Sequence, residues 1–188
     1  MPTLSTQESE ALQALLGAIS DPDRVLALWR NKDLFVGVGE DGIRITLGSA
    51  SSDASTVAER YQSVVGRPLD PLLRAFLEVH DGMNVEATED GKATIVVDGN
   101  PDCTNGLLAA RHLESAETSD GEQSGLLIGK AYHQERILLV EDGPAFGSVV
   151  FDDADGAPVV LAANMATFFH ELSAHGLSVE ATVEAVRR

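Results

Sequence analysis

The apolar residues of this chain repeat with a helical period at both ends and with a strand period between, in separate blocks rather than in alternation. Alternating strand–helix units would build a parallel sheet; segregated blocks argue for an α+β fold. The expected architecture is a central, mostly antiparallel or mixed sheet flanked by helices, with extra N-terminal helices and a hairpin. One domain over 1–188 suffices. A chain of this length buries about 70 % of its unfolded surface, so its core needs no metal or disulfide staple.

Gln7 to Ile19 carries Leu12, Leu15, Leu16 and Ile19 on one helical face. Asp21 is placed to cap a second helix with Pro22 at its first position, running to about Asn31. Leu34-Phe35-Val36 and Ile43 to Leu47 then read as two strands of a hairpin around Gly39-Glu40-Asp41-Gly42. Helices are expected over about Ser55–Val65 and Pro71–Val79, the second stopped by Asp81-Gly82. From Met83 to Gly125 the chain reads mostly as turns and short strands, with Ala93 to Val97 the clearest strand. Further strands are expected at Leu126–Gly129, Arg136–Val140, Ser148–Phe151 and Val159–Leu161. Asn164 caps a helix through Met165, Phe168, Phe169 and Leu172, stopped by Gly176, and a last helix runs from about Ser178 to Arg187.

Charge narrows the function. Lys plus Arg is 13 and Asp plus Glu is 30, a formal net charge of −17. Binding nucleic acid or an anionic membrane takes clustered cations, and the lysines here are only Lys32, Lys92 and Lys130. The excess instead favours a basic partner through long-range steering. The single cysteine, Cys103, forms no internal disulfide and suits a reducing compartment. No signal-like or membrane-spanning apolar run is present in the sequence, so a cytoplasmic location is expected.

The candidate catalytic and ligand motifs fail on chemical grounds. Gly37-Val38-Gly39-Glu40-Asp41-Gly42 matches G-x-G-x-x-G, but a strand pattern comes next where a phosphate-binding helix N-terminus is needed, and two carboxylates sit where the anion would lie. Asp153 and Asp155 before Gly156 resemble a calcium loop, yet Phe151 and Ala162 occupy its first and twelfth positions. His80, His112, His133, His170 and His175 show no metal-ligand spacing. Cys103 has no local base, and neighbouring Asp102 disfavours its thiolate. No cofactor, metal or catalytic residue is expected.

The segment Gly66-Arg67-Pro68-Leu69-Asp70-Pro71 through Phe76-Leu77 to His80-Asp81-Gly82 resembles a signature of the SUKH superfamily. That superfamily includes yeast cell-wall assembly regulators and bacterial immunity proteins. The proline is displaced by one position and His80-Asp81-Gly82 stands in for an asparagine–glycine stop, but Pro71 still opens a helix and Gly82 still supplies a positive φ. Leu126 to Gly129, Ile137 to Leu139, Gly147 to Phe151 and Met165 to Leu172 come in the family's order, with Thr167-Phe168 in place of a serine–phenylalanine pair. The resemblance covers about residues 55–175 and leaves 1–54 as an extension.

The resemblance implies an α+β fold without catalytic machinery and, for an immunity-type member, binding and neutralisation of a toxin, often a nuclease. The acidic charge is compatible with a basic toxin. Glu86, Glu89, Asp90, Glu141, Asp142, Asp152, Asp153 and Asp155 are the candidate partner-binding charges. The alternatives are a housekeeping or regulatory interaction module of the same fold and, further off, an enzyme or metal-binding protein with a scattered site. The N-terminal helices are expected to cover a sheet edge or to form a homodimer through Leu12, Leu15, Leu16 and Trp29.

Overall fold

The computed structural model describes residues 3–50, 54–98, 105–131, 135–153 and 156–187. The first helix, α1 (Thr6–Ile19), starts at a capping box. Ser5 Oγ accepts from Glu8 N–H at 3.3 Å, and Glu8 Oε2 accepts from Ser5 N–H at 2.7 Å. The second, α2 (Pro22–Lys32), has Asp21 as its cap, accepting from Arg24 N–H at 3.2 Å, and ends at Asp33 in the left-handed region.

The expected hairpin does not form. Leu34 N–H donates back to Trp29 O at 3.0 Å, and the Phe35 ring lies 5.5 Å from that of Trp29. Phe35 thus closes the end of α2 instead of joining a strand. Val36 and Val38 are left 80 % and 100 % exposed, and Glu40 Oε2 accepts from Gly37 N–H at 2.7 Å to fold the glycines into a turn. Only the second half of the predicted hairpin is a strand, β1 (Gly42–Gly48), and it pairs elsewhere.

Two helices come next, α3 (Ala54–Val65) and α4 (Pro71–Val79). Asp70 caps α4, its Oδ1 accepting from Leu72 and Leu73 N–H at 2.9 and 3.0 Å. Gly82, at φ 89°, turns the chain into β2 (Met83–Thr88); a Cβ there would stand 2.7 Å from Ala109 N. The remaining strands are β3 (Ala93–Asp98), β4 (Gly106–Leu107), β5 (Glu114–Glu117), β6 (Ser124–Ala131), β7 (Glu135–Val140), β8 (Val149–Asp152) and β9 (Val159–Ala162). The chain closes with α5 (Met165–Ala174), capped by Asn164 through Thr167 N–H at 2.8 Å, and α6 (Val179–Arg187).

The fold is α+β, as the segregated pattern requires. The nine strands form one mixed sheet in the order β3-β1-β2-β4-β6-β7-β8-β9, with β5 also on β6. Among the described residues only β1 and β3 run parallel; the other pairs are antiparallel. β4 and β5 meet β6 at different points, Gly106 opposite Lys130 and Glu117 opposite Ser124, joined through a short 3-10 turn at Ala110–His112.

The segment expected to be turns and short strands supplies β2, β3, β4 and β5, with β2 lying inside the sheet. Met83 and Val85 are buried there, but Asn84 between them is buried too. Its Oδ1 accepts from Asn105 N–H at 2.9 Å, so a satisfied amide hides the strand's apolar character.

Both ends of the chain share the core. Leu15, Phe76, Phe168, Phe169 and Leu172 are fully buried, and Phe76 meets Phe169 edge-on at 5.8 Å. Trp29 Nε1 donates to Gly176 O at 2.8 Å across 147 residues of sequence. Leu15 and Trp29 are therefore core residues, 0 % and 4 % exposed. Of the residues expected at a homodimer face, Leu15 and Trp29 are taken up by this chain's own core, while Leu12 and Leu16 pack against it and stay partly exposed.

Candidate functional site

The predicted acids fall at separate places on the sheet. Glu86 lies on β2 and pairs with Arg44 of β1 at 3.0 Å, both side chains near half exposed. Glu89 and Asp90 form the turn from β2 into β3, where Asp90 Oδ1 accepts from Thr88 Oγ1 at 2.8 Å and Lys92 N–H at 3.2 Å. Glu141 and Asp142 come directly after β7, which is separated from β2 in the sheet order by β4 and β6. Asp152 and Asp153 end β8, at the other end of the β7–β8 pair. Asp155 lies outside the described residues, as do Cys103 and His133.

Two of the acids are internal. Asp152 is 1 % exposed. It pairs with Arg136 opposite it on β7 and accepts from Ser119 N–H at 2.9 Å and Ser119 Oγ–H at 2.7 Å. Arg136 also donates to Glu117 O at 2.9 Å, so one ion pair ties β5, its turn, β7 and β8 together. Glu141 is 8 % exposed and accepts from the Tyr61 hydroxyl, while its carbonyl accepts from Arg67. The Asp153 carbonyl accepts from Gly156 N–H at 3.2 Å and from the Ser119 hydroxyl at 3.1 Å; the rest of the suspected calcium loop, Ala154 and Asp155, lies outside the described residues.

Other acids do face solvent, each in a turn between strands and each held ionised by local donors. The Thr88 hydroxyl and then Lys92 N–H keep the Asp90 carboxyl below its ordinary range. Asp120, missed in the sequence, is lowered by the Thr118 hydroxyl and Glu122 N–H. Asp142 is lowered by Ser124 N–H and the Ser124 hydroxyl, at 3.1 and 2.9 Å. The sequence signal for Asp90 and Asp120 is a Thr two residues before; Asp142 has none, its partner Ser124 being 18 residues away on β6.

Six of the cations, most of them exposed, are bonded to their own chain. Arg30 donates to Asp41 O at 2.8 Å and Gly91 O at 3.2 Å, Lys32 to Ala174 O at 3.1 Å, and Arg74 to Glu78 at 3.0 Å. Arg44, Arg67 and Arg136 likewise bond to atoms of their own chain.

A cleft of about 270 Å³ lies where the α3–α4 junction meets the turn after β7. Tyr61, Arg67, Asp70, Glu141 and Phe146 line it. The Arg67 guanidinium lies 4.9 Å over the Phe146 ring, which is 60 % exposed. Burial raises the Asp70 carboxyl, against the lowering effect of the two N–H groups that it caps. Sequence reading misses Tyr61, Arg67 and Phe146, because Gly66-Arg67-Pro68 shows itself only as a helix breaker. The arrangement is a clamp: Tyr61 and Arg67 both bond to Glu141, one at its carboxylate and one at its carbonyl.

Burial, and then the hydrogen bond to Glu141, raises the Tyr61 phenol well above its usual value. A group whose folded pKa is raised contributes stability in full below the ordinary value of about 10 and loses it as pH rises through the folded value. Of the two tyrosines, one should therefore ionise late in an absorbance titration, with unfolding accompanying it, and Tyr61→Phe should remove that late step. A late step that persists in Tyr61→Phe would rule out the clamp.

Two histidines are set against neighbouring groups. His80 ends α4 and is lowered by burial; His175, lowered by burial and by Lys32, has Nδ1 2.8 Å from Lys32 Nζ and Nε2 3.4 Å from Glu171. Among the described residues no group of three His, Cys, Asp or Glu side chains is placed to hold a metal ion, and no helix is long and apolar enough to cross a membrane. Comparison with known proteins finds no matching family model, no similar curated protein and no similar solved structure.

Proposed function

We propose that this chain is a non-catalytic binding protein of the immunity type, which covers a basic toxin partner, a nuclease being the class whose charge fits best. The observation that carries the reading is that hydrogen bonds hold acids at the exposed turns, while six of the cations, most of them at the surface, are bonded to atoms of their own chain. With a net charge of −17 and six basic side chains engaged with their own chain, the field around the molecule is negative. Asp90, Asp120 and Asp142 are fixed in that field by hydrogen bonds, so a cationic surface meets ordered charges. A nuclease presents such a surface, because it must hold phosphates, and steering makes capture fast. The SUKH resemblance of Gly66 to Gly82 points the same way, and the cytoplasm is where such a partner would meet nucleic acid.

The test is affinity capture from lysate of the source cells, with low-salt and high-salt washes. The reading expects one basic protein, retained at low salt and released near 1 M, where the Debye length is about 3 Å. Its nuclease activity, assayed after purification, should stop when this chain is added. Salt-indifferent capture of an acidic or neutral protein would assign the chain to a regulatory module instead.

A further inference from the structure

The strand β3 ends the sheet, and among the described residues no strand lies beyond it. Native edges are usually blunted by a charge or a proline. β3 has neither between Lys92 and Asp98: its sequence there is Ala93-Thr94-Ile95-Val96-Val97, with Ile95, Val96 and Val97 40, 42 and 64 % exposed. Beside this edge runs an open groove of about 540 Å³ whose apolar lining comes from Leu16 and Ile19 of α1, Leu47 of β1 and Ile95 itself.

The direction of the main-chain groups is fixed by the pairing with β1. Ile43, opposite Ala93 in the parallel register, donates its N–H to Lys92 O at 2.8 Å. In a parallel pair alternate residues turn both groups toward the neighbour. Lys92, Thr94, Val96 and Asp98 therefore face β1, and Ala93, Ile95 and Val97 present N–H and C=O outward. A partner strand has to match that parity.

We propose that a second copy of this chain pairs there, β3 against β3, antiparallel about a two-fold axis at Ile95. Ile95 then lies opposite Ile95 of the other copy, and Ala93 opposite its Val97. Every outward N–H and C=O of the three residues finds a partner, because an antiparallel pair joins residues that both face outward. The same register sets Lys92 opposite Asp98 of the second copy, and Asp98 opposite its Lys92. The two charged residues that bracket the strand are of opposite sign, so the edge is complementary to itself in the one two-fold register that uses its full length. The strand of the second copy brings Ile95 and Val97 alongside the groove next to α1, which extends the contact beyond the main chain.

The test is sedimentation equilibrium of the full chain at about 0.15 M salt, where a Debye length of about 8 Å screens the repulsion of two acidic bodies. A species of twice the 19.9 kDa chain mass is expected. Ile95→Pro removes one outward N–H and no hydrogen bond to β1, so it should leave the circular dichroism native and abolish the dimer. Lys92→Asp, which sets like charges opposite each other at two symmetric places, should weaken association by about tenfold, and Lys92→Asp with Asp98→Lys should restore it. A chain that stays monomeric at every concentration, or a dimer indifferent to Ile95→Pro and to the charge exchange, overturns the proposal.

Discussion

Phe169→Ala is expected to lower the stability of the chain by about 4 kcal/mol, the size of a phenylalanine deletion in a core that cannot collapse around the gap. Phe169 is fully buried on α5, edge-on to Phe76 of α4 and 6.4 Å from Phe168. Helices from distant parts of the chain meet at this ring, so the cavity would be bounded by elements already fixed in place. Urea unfolding checks it: the midpoint should fall with the slope unchanged. Phe146→Ala is the control, since that ring is 60 % exposed and loses only its stack with Arg67. Equal costs for the two substitutions would contradict the placement of α5.

Asp152→Ala should cost about 3 kcal/mol, for a different reason. The substitution removes no large apolar volume. It leaves Arg136 and both donors of Ser119 without the carboxylate that satisfies them, and breaking one side of a buried pair is more costly than replacing the pair as a whole. The cost falls somewhat below that of a fully internal pair because the Arg136 side chain is 33 % exposed and gains water in exchange. Asp152→Asn keeps an acceptor for Ser119 and should lose less. Thermal unfolding of the two variants measures the difference; an Asp152→Ala chain as stable as the parent would show that the node contributes nothing.

Most of the helices are legible in the sequence because their end signals are local. Asp21-Pro22, Asp70-Pro71 and Asn164 each put a capping oxygen beside the N–H groups it serves, and no distant residue alters that. The hairpin reading at 34–47 fails because Phe35 mimics strand alternation while its ring packs back on Trp29, a contact that periodicity cannot distinguish from cross-strand pairing. β2 is hidden by Asn84, whose polarity is satisfied only once Asn105 arrives. Among the acids, composition reveals the sign of the field but not its location. Asp152 and Glu141 read like their neighbours in sequence, and only the register of β7 with β8 and the approach of α3 turn them inward. Arg67 illustrates the same limit: a helix breaker in sequence becomes, in space, the residue that joins Glu141 to Phe146.

The most direct measurement of the central claim is the association rate of the purified chain with the basic protein it captures, monitored across ionic strength. Steered association between ordered acidic charges and a cationic surface predicts a rate that falls steeply as salt rises while dissociation changes much less. Substituting Asp90, Asp120 and Asp142 together by Asn should lower the low-salt rate and flatten its salt dependence. A rate that is flat from low salt to about 1 M, or unmoved by the triple substitution, would contradict the account, since the Debye length falls to about 3 Å over that range.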